Sequence, residues 1–399
     1  MKKILIIILI VMFLFNGLAN ERELNKLSIV SCIGIDIAED GQYEVCVNIL
    51  NTKKTGDASQ QVSEKELSTL FMYKIKEKSI QEALRNIIKE SPKRLYLAHV
   101  KLVMVSEKLA KERMMDTLDY FIRDYEGGNN FVMVVTKDST PNEVMEKMAA
   151  KTNDFATEIR KSILNLYKYR GNSTDDLLND NLRKFLGEGQ EVVINSIELV
   201  EDEINNSKED EKEKEEESKK DKSYKIKISD MAYFKGYEIK GYLEENDNIT
   251  YNILQNELKT TLIQLGEKQD RIVIEVIDAN SKMTPSIKEQ IPNVKIDLKM
   301  VCNITEIGQN IKIEDENDLG DIENRIKQKM INHINNYINN CRKKYNSDII
   351  QIGNLFYRYE NKYYMSVKDV FYTKIYNDIT YDIDINVTIP NLGGVKKQW

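Results

Sequence analysis

Two histidines, four cysteines, 65 acidic residues and 21 tyrosines are the side chains through which this 399-residue chain could do chemistry. A zinc centre needs Cys and His at short spacings, and a disulfide scaffold needs paired cysteines in a small chain. Neither pattern occurs. Cys302 reads as a strand residue and Cys341 as part of a helix's apolar face, while His333 has Asn332, Asn335 and Asn336 around it. His99 falls in the apolar run Leu97-Ala-His-Val-Lys-Leu-Val-Met-Val105, where a strand histidine serves in the core or at an edge rather than in catalysis. Phosphate loops, dinucleotide fingerprints, metalloprotease helices and serine elbows are missing. Nothing in the spacing of the carboxylates singles out a general acid and base. Tyr357, Tyr359, Tyr363, Tyr364, Tyr372 and Tyr376 suit an interface, because tyrosine joins apolar area to a polar tip, and strand propensity explains them equally well. The expectation is a binding or assembly protein, not an enzyme, with no metal and no cofactor.

The elements that position these residues follow from hydrophobic periodicity. Ser28 to Asp36 and Tyr43 to Leu50 read as a hairpin turning at Asp40-Gly41, with Tyr43, Val45, Val47 and Ile49 on one face. Cys32 and Cys46 stand nearly opposite in that count. A cross-strand disulfide fits, and two reduced strand residues is the simpler reading. Ile80, Ala83, Leu84, Ile87 and Ile88 mark an amphipathic helix stopped by Pro92, and Leu95 to Val105 reads as one strand. A helix over 106–124 and a strand over 131–136 follow. Thr140-Pro141-Asn142-Glu143 has a capping threonine, a first-turn proline and the glutamate of a capping box. A helix over 174–186 and a strand over 191–200 complete this half.

From Glu201 to Lys222, 11 residues are acidic, 6 are basic and only Ile204 is apolar, so the segment cannot bury enough surface to offset its ordering entropy. Beyond it, 224–234 and 237–243 form a hairpin through Lys235-Gly236, followed by a helix to about Leu265 and a strand over 271–277. Val294, Ile296, Leu298, Met300, Cys302 and Ile304 alternate in a long strand. Leu319, Ile322, Ile326, Met330, Ile334, Ile338 and Cys341 then mark a long helix, and Tyr381 to Ile389 a last strand. The fold class is α+β and multi-domain, with mixed or antiparallel β-sheets flanked by amphipathic helices. Residues 20–200 form an N-terminal domain, 201–222 a charged linker or loop, and 223–395 a C-terminal region that divides, if at all, near Gly266 into 223–266 and 267–395.

A formal net charge of −7 argues against nucleic acid, since no basic stripe exists to displace counterions. One segment approaches membrane hydrophobicity, which excludes a multi-span transporter. Lys2 and Lys3 precede the apolar run Ile4 to Phe15, closed by Gly17 and Ala19. This is the pattern of a secretory signal, and the run is shorter than the ~20 residues of a membrane-spanning helix. Residues 1–19 are therefore expected to be a signal peptide or short membrane anchor, and the body is expected to be exported.

Taken in order, several segments resemble the Ger(x)C family, the C subunits of spore germinant receptors. Arg22-Glu23-Leu24-Asn25 and Ile33-Gly34-Ile35-Asp36 resemble its opening motif. Leu95-Tyr96 with His99 resembles the next block, and Ala232-Tyr-Phe234-Lys-Gly236 with Gly241-Tyr-Leu243 a central hairpin. Asp348-Ile349 with Ile352-Gly353 resembles a C-terminal signature. The resemblance implies a non-enzymatic subunit on the outer face of the spore inner membrane. It would work beside membrane-embedded A and B subunits, supporting assembly or signalling of a nutrient receptor that triggers germination. The family is typically lipidated on a cysteine just before the opening motif. Here Leu18 follows Gly17, so no acceptor thiol is present and lipidation is not expected. The competing expectation is an exported solute-binding protein or cell-wall-acting enzyme, which would show a deep pocket or a carboxylate pair with raised pKa values.

Overall fold

The computed structural model describes residues 27–50, 72–124, 128, 130–152, 154–202, 223–289, 291–313 and 316–390. The expected leader and the motif residues Arg22, Glu23, Leu24 and Asn25 lie outside these. In chain order the first half contains β1 (Leu27–Ile37), β2 (Tyr43–Ile49), β3 (Met72–Glu77), α1 (Ile80–Asn86), β4 (Arg94–Tyr96), β5 (Leu102–Ser106), α2 (Glu107–Glu112), α3 (Met114–Arg123), β6 (Val132–Lys137), α4 (Pro141–Ala149), α5 (Phe155–Arg170), α6 (Leu178–Leu186) and β7 (Val193–Glu201). The second half contains β8 (Tyr224–Lys235), β9 (Glu238–Tyr242), α7 (Glu245–Leu254), β10 (Thr261–Leu265), β11 (Ile272–Lys288), β12 (Ile291–Ile307), α8 (Glu316–Lys343), α9 (Ile352–Tyr359), α10 (Asn361–Val367) and β13 (Thr380–Thr388). The α+β class with mixed sheets is what the sequence predicts.

The first sheet has nine strands, ordered β3-β2-β1-β5-β6-β7-β8-β9, with β4 also paired to β1. Its centre, β1-β5-β6-β7, is parallel and its flanks are antiparallel. A parallel centre must be covered on both faces, and alternation along β5 shows how. Val103 and Val105 pack with α1, α2, α3 and α6, whereas Leu102 and Met104 pack with α4 and α5. The same covering buries Cys46 and Asn48 of β2, a strand the sequence reads as exposed on one face. Asn48 is satisfied there by Ser31, whose Oγ donates to Asn48 Oδ1 at 2.7 Å.

The second sheet runs β10-β11-β12-β13, with only the β12–β13 pair parallel. Val294, Ile296, Leu298, Met300 and Cys302 turn one face of β12 onto Ile322, Ile326, Met330, Ile334 and Ile338 of α8. This strand and this helix are as the periodicity predicts.

Several expectations need correction. Residues 95–105 are two strands, because β1 pairs with both: from Ile29 to Cys32 it advances three residues while its partner goes from Tyr96 to Leu102. The surplus loops out as a turn closed by Val100 N donating to Leu97 O at 3.1 Å, and His99 sits exposed in that turn rather than in a strand. The helix over 106–124 breaks at Arg113, whose guanidinium lies 5.2 Å from the Tyr43 ring centroid. The helix ending near Leu265 stops instead at Leu254, and Thr261, Ile263 and Leu265 alternate as buried positions of β10. Helix α5 is absent from the sequence reading, although Asp154 caps it, Gly171 closes it in a left-handed conformation, and Phe155, Ile159, Ile163 and Tyr167 form its buried stripe. The tyrosines from 357 to 376 lie on α9, α10 and the short turns after them, not on a strand.

The charged segment also has a different setting. Glu201 of β7 pairs with Tyr224 of β8, so residues 203–222 join two hydrogen-bonded neighbours of one sheet. The hairpin 224–242, placed by sequence with the C-terminal region, is part of the first sheet. The apolar core is shared as well, for Val193, Met231, Tyr233 and Leu243 pack with the second sheet's residues.

Candidate functional site at the junction of the two sheets

After α8 the chain turns at Asn346 and buries Asp348 completely. The Asp348 carboxylate accepts from Ile352 N at 2.9 Å and Gly353 N at 2.6 Å, the first amides of α9, and Tyr372 OH lies 3.4 Å away. A carboxylate on the free N–H groups of a helix start is the favoured electrostatic arrangement. Burial nevertheless dominates and pushes this acid up to about 7, against the two backbone donors and with Glu191 adding to the rise.

Gly353 meets the 187–191 loop between α6 and β7. Asn354 N donates to Gly189 O at 2.8 Å and Asn354 Nδ2 to Glu188 O at 2.8 Å. A Cβ on Gly353 would run into the Tyr372 hydroxyl and come within 3.2 Å of Gly189 Cα, and one on Gly189 would come within 2.6 Å of Asn354 N. Only paired glycines let these two backbones touch. Glu188 is held from α10 and the following turn, accepting from Tyr364 OH at 3.0 Å and Lys368 Nζ at 2.8 Å.

The β8–β9 hairpin closes the other side. Phe234 is fully buried, donates its N–H to Val192 O at 2.8 Å and sets its ring edge-on to Phe185 at 5.4 Å. Gly236 N donates to Glu191 Oε2 at 2.8 Å, and Lys235 Nζ donates to Asn346 O at 2.7 Å. Burial raises the Glu191 carboxyl, which the Gly236 N–H and Lys235 oppose. Gly241 leaves room for Tyr233, whose ring packs 4.9 Å from that of Tyr345. The structure thus gathers Phe234, Gly236, Asp348 and Gly353 around one loop, with Gly241 across the β8–β9 hairpin from Tyr233. Gly189, Glu188 and Glu191, which the sequence reading missed, form that loop, and the Gly187-x-Gly189 pair was the available signal.

Gly34, Asp36 and His99 lie on other strands and loops of the first sheet. Gly34 faces Cys46 and Pro141 so closely that no side chain fits. Asp36 accepts from Ser106 Oγ and from Ile37 N at 2.7 Å, and Ser106 Oγ in turn accepts Leu109 N at 3.0 Å, capping α2. The His99 ring sits against Tyr96, centroids 5.5 Å apart.

All four cysteines are buried and free. Burial pushes Cys46 and Cys302 up to about 12 and Cys32 and Cys341 well above the usual thiol range, so no thiolate forms at neutral pH. Among the described residues no cluster of His, Cys, Asp and Glu is arranged to hold a metal. Asp348 and Glu191 both have raised pKa values, and both Asp348 oxygens accept from backbone amides in the protein interior. No helix of the described residues is long and apolar enough to cross a membrane.

Comparison with known proteins agrees with this architecture. Residues 20–199 match the family described as spore germination protein N-terminal domain, and residues 229–393 match spore germination B3/GerAC-like, C-terminal. The chain is similar to spore germination protein KC of Bacillus subtilis (strain 168), with 22% identity over 391 residues covering 97% of this chain and 95% of the relative. A solved structure described as the GerBC protein shares the fold with a TM-score of 0.53 at 16% identity, covering 90% of this chain and 97% of that one. With both family domains matched in order along nearly its whole length, the chain belongs to the Ger(x)C family of spore germination proteins.

Proposed function

We propose that the protein is the C subunit of a nutrient germinant receptor, a non-enzymatic component that supports receptor assembly or signalling. The observation that carries this reading is the match to both family domains together with whole-length similarity to a spore germination protein. The structure supports it with a junction built from side chains committed to one another, the arrangement of a scaffold that holds two regions in fixed relation. Tyr359 and Met365 are 62% and 54% exposed beside Arg358 and Lys362, a surface suited to a protein partner. The proposed partners are the membrane-embedded A and B subunits, and the proposed location is the outer face of the spore inner membrane. Because Leu18 stands where the family carries its lipidated cysteine, attachment would rest on an uncleaved leader or on those partners.

Deleting the gene tests the function. Loss of germination with a subset of nutrients, and an intact response to non-nutrient triggers, is expected. An unchanged nutrient dose-response in a strain without a redundant receptor would refute it. Fractionation of spore inner membranes with intact-mass analysis tests the attachment: recovery with Met1 retained assigns it to the leader, and a soluble form starting at Asn20 means that retention depends on partners or that the receptor role is lost.

A further inference from the structure

Strands β1, β4, β5 and β6 are parallel, so all four begin at one end of the first sheet. Strand β3 begins there too, since it and β1 both run antiparallel to β2. Helix α1 joins β3 to β4, and α3 leads from β5 and α2 to β6, so both helices finish at this end. Leu84 and Ile87 from the first, and Leu118 and Phe121 from the second, bury in one core with Val103. Residues 1–26 join the body at the same end, at Leu27 of β1.

The corner so formed is apolar and basic. Ile88 and Ile122, at the ends of the two helices, are 50% and 49% exposed. Lys89 and Arg94 are exposed and Lys93 half-buried where the chain passes from α1 to β4. Lys101 shares the parity of Val103 just ahead of β5, which turns it to the side of α1 and α3. Among the described residues Lys89, Lys93 and Lys101 enter no ion pair. Against these cations stand Glu90 and Asp124, and Asp124 accepts from Tyr120 OH at 3.2 Å. Arg123 is held by Asp119. The corner is thus locally positive in a chain of net charge −7.

Two features point to one occupant. Isoleucines exposed among lysines match a bilayer interface, where apolar side chains sink below headgroups whose phosphates meet ammonium groups. The apolar run Ile4 to Phe15 ends twelve positions before Leu27, a stretch that extends at most about 40 Å. A leader held in a membrane therefore keeps this corner within that distance of lipid.

We propose that this corner docks on an anionic phospholipid surface, with Lys89, Lys93, Arg94 and Lys101 on the headgroup phosphates and Ile88 and Ile122 inserted between them. The body itself then binds lipid, whatever the leader does, and this end of the first sheet faces the bilayer. The inference rests on the membrane location proposed above, but not on the germination phenotype, which is read in spores rather than on vesicles.

The test is co-sedimentation of the full chain with vesicles of phosphatidylcholine alone and of equimolar phosphatidylcholine and phosphatidylglycerol, with hydrogen exchange to locate the contact. The leader inserts into both vesicles, whereas the corner responds to lipid charge. Binding about tenfold or more tighter to the anionic vesicles is expected, with added protection over 86–101 and 119–124. The pair Lys89→Glu and Lys93→Glu should remove that excess and leave binding to phosphatidylcholine unchanged. A control pair on the second sheet, Lys282→Glu and Lys299→Glu, both exposed, should change neither. Equal binding of the parent to both vesicles overturns the proposal, as does anionic-vesicle protection confined to other segments. So does a control pair that weakens anionic binding as much as the corner pair, since attraction would then be diffuse.

Discussion

Gly189 and Gly353 bring the loop before β7 against the start of α9 backbone to backbone, sealed by the 2.8 Å hydrogen bond from Asn354 N to Gly189 O.

Either Gly353→Ala or Gly189→Ala should destabilise the protein by about 1–3 kcal/mol: the methyl of Gly189→Ala runs into the Gly353–Asn354 backbone, and that of Gly353→Ala into the Tyr372 ring and hydroxyl before it reaches the Gly189 backbone. Gly189 also has a left-handed φ of 66°, so its substitution adds strain. Urea melts of both variants check this, and stability equal to the parent would show that the two segments separate freely.

Asp348 gives a pH signature. Its carboxyl is raised to about 7 in the folded state from an ordinary value of 3.8. The native state therefore holds a proton that the unfolded chain has released between those values, and stability falls as pH rises through this window. The group's contribution is fully present below about pH 4 and lost above about pH 7. Paired carboxylates such as Glu188, whose pKa is lowered chiefly by the Lys368 hydrogen bond, act in the opposite direction. The informative quantity is thus parent minus Asp348→Asn, measured by urea unfolding across this range. That difference should decline as pH rises, and a flat difference would show that Asp348 does not titrate there.

Lys184 joins the two halves of the chain. Its ammonium is 2.7 Å from Asp176, 3.6 Å from Glu257 and 3.3 Å from Tyr251 OH, with 15% of the side chain exposed. Burial opposes the charge, but Tyr251, Asp176 and Glu257 outweigh it and raise the pKa. Lys184→Met strands two largely buried carboxylates and should cost about 3 kcal/mol. The further change Asp176→Asn in that background should recover part of the loss. No recovery in a double-mutant cycle would locate the cost in packing.

The pairing of Glu201 with Tyr224 implies that residues 203–222 are dispensable for the fold. Replacing them with a short Asn-Gly turn should leave the melting temperature unchanged or raised, since closing a shorter loop costs less entropy. Thermal unfolding of the shortened chain decides this, and loss of cooperative unfolding would show that the segment organises the sheet.

Where local pattern and tertiary packing coincide, the sequence by itself determined the outcome. The alternation from Val294 to Cys302, the stripe from Ile322 to Cys341 and the Thr140–Glu143 capping box each express periodicity or end chemistry confined to one element. The motif residues Asp348 and Gly353 were also visible, but not what they touch. Tertiary structure alone decided that β8 pairs with β7 across the charged segment, that β1 splits 95–105 into two strands, and that the Tyr364 and Tyr372 region folds as helices over Asp348. It also decided that Gly353 meets Gly189 and that Gly236 bonds to Glu191 of the same loop. Strand partnership and the meeting of two glycines depend on surfaces far apart in sequence. No local window contains the free energy that selects them.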